Sequence, residues 1–201
     1  MSHKSTPRSG PDWELDLVLA GYGGQGVLLA GRLLGSVVVR SRLNVQVNNF
    51  YQGFVRGGVS ECTIVISEHE IDAPAPKPDV TAVLDIRAAK AWTDKVRPGG
   101  LLMRNCSLIT DEVCRDDIDV FEIPISDIAT EVGNLMCSSM VAVGALASLT
   151  GAFRIEDCLE ALSDVVPTHR KSLMELNRQA LIRGASFVGA NRTGVSAHGT
   201  V

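Results

Sequence analysis

Apolar positions along this chain gather in short runs separated by longer stretches of helical spacing. Residues 15–20 are apolar except Asp16 and stop at glycine, which predicts a buried first strand. Residues 27–40 follow with Leu28, Leu29, Leu33 and Leu34 on a helical period. Gly31 and Gly35 lower the helical propensity there, but glycines four apart also let a helix lie close on a sheet. Further strands are expected at 44–47 and 59–67. In the second of these Cys62, Ile64 and Ile66 share one face, while Glu61 and Thr63 share the other and point to an edge or a subunit-facing side. Three prolines make 71–79 an extended loop. Strands at 80–85, 101–104 and 120–123 are then separated by a helix over 86–95 and a turn over 97–100.

The last third is helical. Ser126 is placed to cap a helix starting near Asp127. Residues 136–149 are apolar and small almost throughout, yet too few to span a bilayer, so they read as a helix buried on several sides. A short amphipathic helix is expected over 155–165. A final one over 171–184 carries Leu173, Leu176, Ala180 and Ile182 as its stripe and ends at Gly184. A polar arm over 1–13 and a small, polar tail over 185–201 flank a domain spanning 14–184. The order of elements predicts an α/β fold, a single Rossmann-like domain with a mainly parallel sheet flanked by helices.

Composition narrows the function classes. The chain has 201 residues, 45% of them hydrophobic and 21% charged, which suits a globular domain. Its net charge of -4 argues against a general nucleic-acid surface. No apolar run reaches a membrane span, and residues 1–14 hold no apolar signal core. Five cysteines, an odd number with no C-x-x-C pair, argue against structural disulfides and a cysteine-only iron–sulfur site, and the cytoplasm is the expected compartment. Four scattered histidines outline no metal site. His169 reads as a surface or capping residue and Asp85 as a cap. Ser60 and Ser67 lack a nucleophile-elbow setting. Met136 and Met140 read as core filling, and Cys137 has no identifiable co-ligands. No set of acid, base and nucleophile emerges, so no catalytic residue is assigned.

Binding chemistry is better represented. Gly21, Gly23, Gly24, Gln25 and Gly26 fill the first strand-to-helix turn and meet the G-x-G-x-x-G spacing at Gly21, Gly23 and Gly26. Glycines let backbone N–H groups approach an anion, and the following helix adds its positive end. A dinucleotide site also needs an acid some 20 residues on for the ribose, but no acidic residue lies between Asp16 and Glu61. A P-loop fails because no Lys-Ser/Thr pair follows. A phosphate-bearing ligand such as the CoA pyrophosphate, a subunit seam and a merely tight turn all stay open. The second unusual stretch is 48–58, NNFYQGFVRGG. Asn49, Phe50, Tyr51 and Phe54 form its substrate-side or interface loop. Arg56, before Gly57 and Gly58, could clamp a carboxylate or phosphate, or anchor a subunit contact.

Five segments together resemble the γ subunit of 2-oxoacid:ferredoxin oxidoreductases, the pyruvate/ketoisovalerate oxidoreductase domain. They are LAGYGGQGVLLAG, RGG followed by SECTIVIS, KPDVTAVLD, GNLMCSSMVAVGAL and LNRQAL, and they cover most of 15–184. The resemblance implies an accessory chain in a complex that oxidatively decarboxylates a 2-oxoacid to an acyl-CoA. Thiamine diphosphate with Mg2+ would sit on α and β subunits. 4Fe-4S clusters on an iron–sulfur subunit would pass electrons to ferredoxin or another acceptor. This chain itself would hold no firm cofactor and would serve assembly and the CoA approach. Residues 49–55 depart from the Ser-Tyr-Gly-Pro-like stretch frequent in the family, which opens the reading of an aromatic 2-oxoacid substrate. The alternatives are a free-standing nucleotide-binding dehydrogenase and a purely structural interaction subunit.

Overall fold

The computed structural model describes residues 13–51, 58–166 and 171–191. The alternation of short apolar runs and helical stretches resolves into one six-stranded sheet. Its strands are β1 (Glu14–Tyr22), β2 (Asn44–Tyr51), β3 (Val59–Ser67), β4 (Val80–Val83), β5 (Leu101–Asn105) and β6 (Asp119–Ile123). Its helices are α1 (Val27–Arg40), α2 (Ile86–Trp92), α3 (Ile125–Val132), α4 (Ser138–Thr150), α5 (Ile155–Val165) and α6 (Lys171–Asn191). The strand order is β2-β3-β1-β4-β5-β6. β1, β4, β5 and β6 pair in parallel, whereas β3 runs antiparallel to both β1 and β2. The sheet is thus mainly parallel, with one reversed strand.

That reversed strand corrects two expectations. Glu61 and Thr63 do not mark an edge, because β3 lies inside the sheet and β2 is the edge. The irregular stretch expected from residue 48 begins later, since β2 continues through Tyr51. Asn48, Asn49 and Phe50 have weak strand propensity as a group. They are held by continuous pairing with Thr63, Cys62 and Glu61 of β3.

Burial follows from position. β1, flanked on both sides, is buried on both faces from Leu15 to Gly21, which is why its apolar run does not alternate. One face of the sheet carries the larger core, with α1, α4 and α6 contributing Leu33, Leu34, Met140, Leu146 and Leu181. On the other face Val18, Ala20, Val83 and Leu102 pack with Ala88 and Ala89 of α2. α1 comes close enough to β3 that a Cβ on Gly31 would run into the Cys62 sulfur. A Cβ on Gly35 would stand 3.1 Å from Val47 of β2. The two glycines therefore do serve close helix–sheet packing.

The helical third differs from expectation in three places. Ser126 does not cap α3, which begins at Ile125. Its hydroxyl instead accepts from Asn105 Nδ2 at 2.9 Å, and Asn105 also donates to the Leu84 carbonyl at 3.0 Å. A 3-10 turn over Leu135–Cys137 precedes α4, so the apolar run is a turn plus a helix. Gly184 does not end the last helix. α6 runs on to Asn191, Val188 is fully buried, and Phe187 meets Phe121 edge to face at 6.4 Å. The inward stripe uses Asn177, Ala180, Leu181, Gly184 and Val188, while Ile182 faces outward. Residues 1–12, Arg56, His169 and 192–201 lie outside the described residues.

Candidate functional site

β1 delivers the chain to the glycine turn at the carboxyl ends of the parallel strands, where α/β sheets bind ligands. β1 is also the switch point, since α1 packs on one face and α2 on the other. Gln25 closes the turn. Its N–H donates to the Tyr22 carbonyl at 3.1 Å, and its Oε1 accepts from the Tyr22 N–H at 2.7 Å. Its Nε2 donates to the Leu84 carbonyl beyond β4 at 3.2 Å. The side chain proposed from sequence as a ligand contact is therefore engaged as a strut between turn and neighbouring strand. Gly21 beneath it must lack a side chain, because a Cβ there would come within 2.6 Å of Gln25 Oε1. Gln25→Leu should lower stability by about 1–3 kcal/mol, since it strands the Tyr22 N–H. An unchanged urea midpoint would show that the glycine backbone holds the turn without the strut.

Among the described residues, the turn leaves donors unspent. Gly23 gives its N–H to the Gly58 carbonyl at 3.3 Å, which joins the turn to the end of the second unusual stretch. Gly24 and Gly26 adopt positive φ of 105° and 81°. Among the described residues, neither of their N–H groups has an acceptor. Gly26 is the N-cap of α1, which has no side-chain cap and no acidic residue in its first turn. α4 likewise starts without a side-chain cap or a first-turn acid. The two helix starts meet: a Cβ on Gly26 would lie 2.5 Å from Ser139 Oγ and 3.5 Å from the Met136 carbonyl. Ser139 is fully buried, and its hydroxyl has no partner among the described residues. The turn that leads into α4 is itself capped, since Asn134 Oδ1 accepts from the Met136 N–H at 2.9 Å. The uncapped start of α1 and the unused Ser139 hydroxyl make this a favourable place for negative charge.

Sequence reasoning did not single out Ser139. Its neighbour Ser138 looks identical in the sequence but donates to the Leu135 carbonyl at 2.6 Å. Only the packing of α4 against Gly26 separates them. The same end of the molecule is apolar at its surface. Leu28, Phe50, Leu108, Leu135 and Met136 are exposed there, Phe50 at 65% and Met136 at 68%. Asn49 and Phe50, adjacent in sequence, lie on opposite faces of β2. Asn49 stands on the α1 side near Gly31, and Phe50 on the other side opposite Glu61. Tyr51 contributes the last pairing of β2, with Ser60. Phe54, Arg56 and Gly57 lie outside the described residues, so the proposed guanidinium clamp has no assigned position.

The ionisable groups around the turn are engaged in structure. Arg87 stacks over the Tyr22 ring at 4.4 Å and bonds Asp85 at 3.2 Å. Asp85 caps α2 by accepting from the Arg87 N–H, as its position predicted. Burial pushes the thiols of Cys62 and Cys158 up to about 12, leaving them neutral and poor nucleophiles. Asp16 is also raised by burial, but it sits at the far end of β1 and accepts from the Ala75 N–H. Among the described residues no three His, Cys, Asp or Glu side chains converge as metal ligands. Among them, too, no helix is long and apolar enough to cross a membrane. The arrangement suits binding and orientation. It is poorly suited to a dinucleotide, because antiparallel β3 occupies the place beside β1 where that fold would put β2 and its ribose-binding acid.

Comparison with known proteins agrees with this geometry. The family described as pyruvate ferredoxin/flavodoxin oxidoreductase matches residues 16–187. The chain is 32% identical over 182 residues to 2-oxoglutarate synthase subunit KorC of Methanothermobacter thermautotrophicus, covering 85% of this chain and 96% of that one. Its fold matches the gamma subunit of a keto/oxoacid ferredoxin oxidoreductase from Geobacter sulfurreducens with a TM-score of 0.78 at 26% identity, over 88% of this chain and 97% of that one. It also matches part of the 2-oxoglutarate:ferredoxin oxidoreductase of Magnetococcus marinus, solved with 2-oxoglutarate, coenzyme A and succinyl-CoA. There the TM-score is 0.80 at 23% identity, over 88% of this chain and 31% of that one, a likeness of fold.

Proposed function

This chain belongs to the pyruvate ferredoxin/flavodoxin oxidoreductase family, and from that premise we propose how it works within a 2-oxoacid oxidoreductase complex. It is homologous to the KorC and gamma subunits of such enzymes. In our reading it is the accessory subunit that seats an anionic part of a ligand, the CoA pyrophosphate, at a seam with the thiamine-binding α and β subunits. Thiamine diphosphate, Mg2+ and 4Fe-4S clusters on other chains supply the decarboxylation and electron-transfer chemistry, with ferredoxin or another acceptor receiving the electrons. The residues here bind and orient.

One observation carries this reading: the uncapped start of α1 at Gly26 meets the first turn of α4, beside a Ser139 hydroxyl that nothing in the described chain satisfies. The Gly24 and Gly26 N–H groups, without an acceptor among the described residues, can face a diphosphate, and the exposed Leu28, Leu135 and Met136 supply apolar area for a neighbouring subunit. Arg56, two residues before Gly58 in the sequence, would add a positive charge. The 2-oxoacid itself is a finer question. The KorC relative carries the name of a 2-oxoglutarate enzyme, whereas the aromatic residues at 50, 51 and 54 keep an aryl 2-oxoacid in contention. A substrate panel on the intact complex separates these.

The first test is purification of the tagged chain under gentle conditions. It should bring down larger partner chains with thiamine diphosphate and iron–sulfur clusters. A lone chain that binds NAD would refute the reading. Within the complex, Gly24→Val should raise the KM for CoA or weaken assembly. A Cβ at Gly24 meets nothing within 4 Å among the described residues, so the strain within this chain comes from the positive φ, which a β-branched residue resists, and the side chain itself would stand where the ligand or subunit approaches. Lost assembly with an unchanged KM in the residual complex would favour the purely structural subunit. Unchanged assembly and KM would remove the turn from either role.

A further inference from the structure

β2 forms one edge of the sheet, and its own residues have none of the features that usually protect an edge, although Glu70 and Ile71 of the chain after β3 lie beside Asn44, Val45 and Gln46. Its eight residues, NVQVNNFY, include no charge and no proline. Its pairing with β3 runs without a break from Asn44↔Ser67 to Tyr51↔Ser60, so no bulge bends it away. Among the described residues, no backbone group is hydrogen-bonded to its outer side. A long, regular, uncharged edge is a template for another strand. Proteins that keep edges single shorten them, bulge them or place Lys or Pro on them.

We propose that the outer edge of β2 pairs antiparallel with β2 of a second copy of this chain, joining two six-stranded sheets across a two-fold axis. The side chains favour this occupant. Asn44, Gln46 and Asn48 line the face away from α1, while Val45 and Val47 lie on the α1 side and pack against the core. Amides both donate and accept, so a row of them is complementary to its own copy, whereas a charged row would repel itself. An axis perpendicular to the sheet keeps like faces together, so opposed residues must have the same parity. Two of the registers that satisfy this place the axis at the middle of the strand. One sets Asn48 against its own copy and Gln46 against Phe50. The other sets Val47 against its own copy and Gln46 against Asn48. Both leave the exposed Phe50 partly covered by the partner's amides. This pairing is independent of the role proposed for the glycine turn.

Sedimentation of the full chain over a range of concentrations tests it. A reversible monomer–dimer equilibrium is expected. Gln46→Lys with Asn48→Lys places like charges across the axis in both registers and should weaken the dimer by at least about tenfold. Gln46→Glu with Asn48→Glu should do the same. Mixing the two variants should restore a dimer as the heterodimer, with circular dichroism showing both to be folded. A wild-type chain that stays monomeric overturns the proposal, even if the variants misfold. So does a dimer that neither charged pair weakens, or a failure of folded variants to combine.

Discussion

Gly144→Ala should destabilise this protein severely, because the added methyl would have only helix backbone to displace. α4 and α6 cross with their backbones in contact. A Cβ on Gly144 would overlap the Leu181 carbonyl oxygen and lie 2.8 Å from its carbonyl carbon. Reciprocally, a Cβ on Gly184 would overlap the Val141 carbonyl oxygen and lie 2.9 Å from its carbon. Backbone of this kind cannot rotate aside as a side-chain tip can. The helices would have to separate, opening the core around Met140, Val141 and Leu181, all buried. Overpacking against a rigid neighbour costs about 3 kcal/mol or more, a large share of a typical 5–15 kcal/mol domain stability. The melting temperature should fall by roughly 6–12 °C. Gly189→Ala, on the same helix as Gly184 with nothing within 4 Å of its Cβ, is the control and should leave the melt unchanged or slightly raised. Equal melts for the Gly144 variant and the control would mean that the two helices are not this close.

Gly26→Ala should produce the largest combined effect on stability and activity. Two separate costs meet there. The residue holds φ at 81°, where an L side chain is disfavoured by about 1–2 kcal/mol. The new Cβ would also stand 2.5 Å from Ser139 Oγ, closer than carbon and oxygen approach without displacement. Either the Ser139 hydroxyl must rotate away or α4 must give way, and both change the surface offered to the proposed ligand. In the assembled enzyme the KM for CoA should rise about tenfold or more, the loss of one charge-assisted contact. Ser139→Ala alone should be nearly neutral for stability, because it removes a buried hydroxyl that lacks a partner. The double variant isolates the packing cost. With the hydroxyl gone, the nearest neighbours would be the residue 139 Cβ at 3.4 Å and the Met136 carbonyl at 3.5 Å. It should therefore recover stability relative to Gly26→Ala, with the backbone strain remaining. Simple additivity of the two single changes in a double-mutant cycle would contradict the contact between α1 and α4.

The two glycine sites show what was readable in advance and what was not. Gly26 was legible because it sits in a dense glycine pattern between an apolar strand and an apolar helix. Gly184 has the sequence look of a helix stop, since a glycine followed by small and polar residues ordinarily marks one. In the fold it is a contact point, and α6 continues for about two further turns to bury Val188. Gly144 carries no distinguishing signal within its uniformly small and apolar run. Side chains that recognise backbone were equally hidden. Asn105 holds the ends of β4 and α3 together, and Gln25 ties the glycine turn to Leu84, yet neither has a local pattern of its own.

By itself the sequence determined the number and kind of elements, the boundaries of α1, β3 and α5, and the close approach of α1 to the sheet through Gly31 and Gly35. These depend on periods of two and 3.6 residues and on the conformational limits of glycine and proline, which are local properties. Tertiary structure decided the rest. It reversed β3 and extended β2 into the stretch that looked like a loop, because eight residues of ladder outweigh the weak strand propensity of Asn48 and Asn49. It brought Ser139 to Gly26 across more than a hundred residues of chain, because α4 buries all but one of its residues only by lying against α1, α3 and α6. Contacts of that kind belong to the packing of separate elements, and no window of sequence contains both partners.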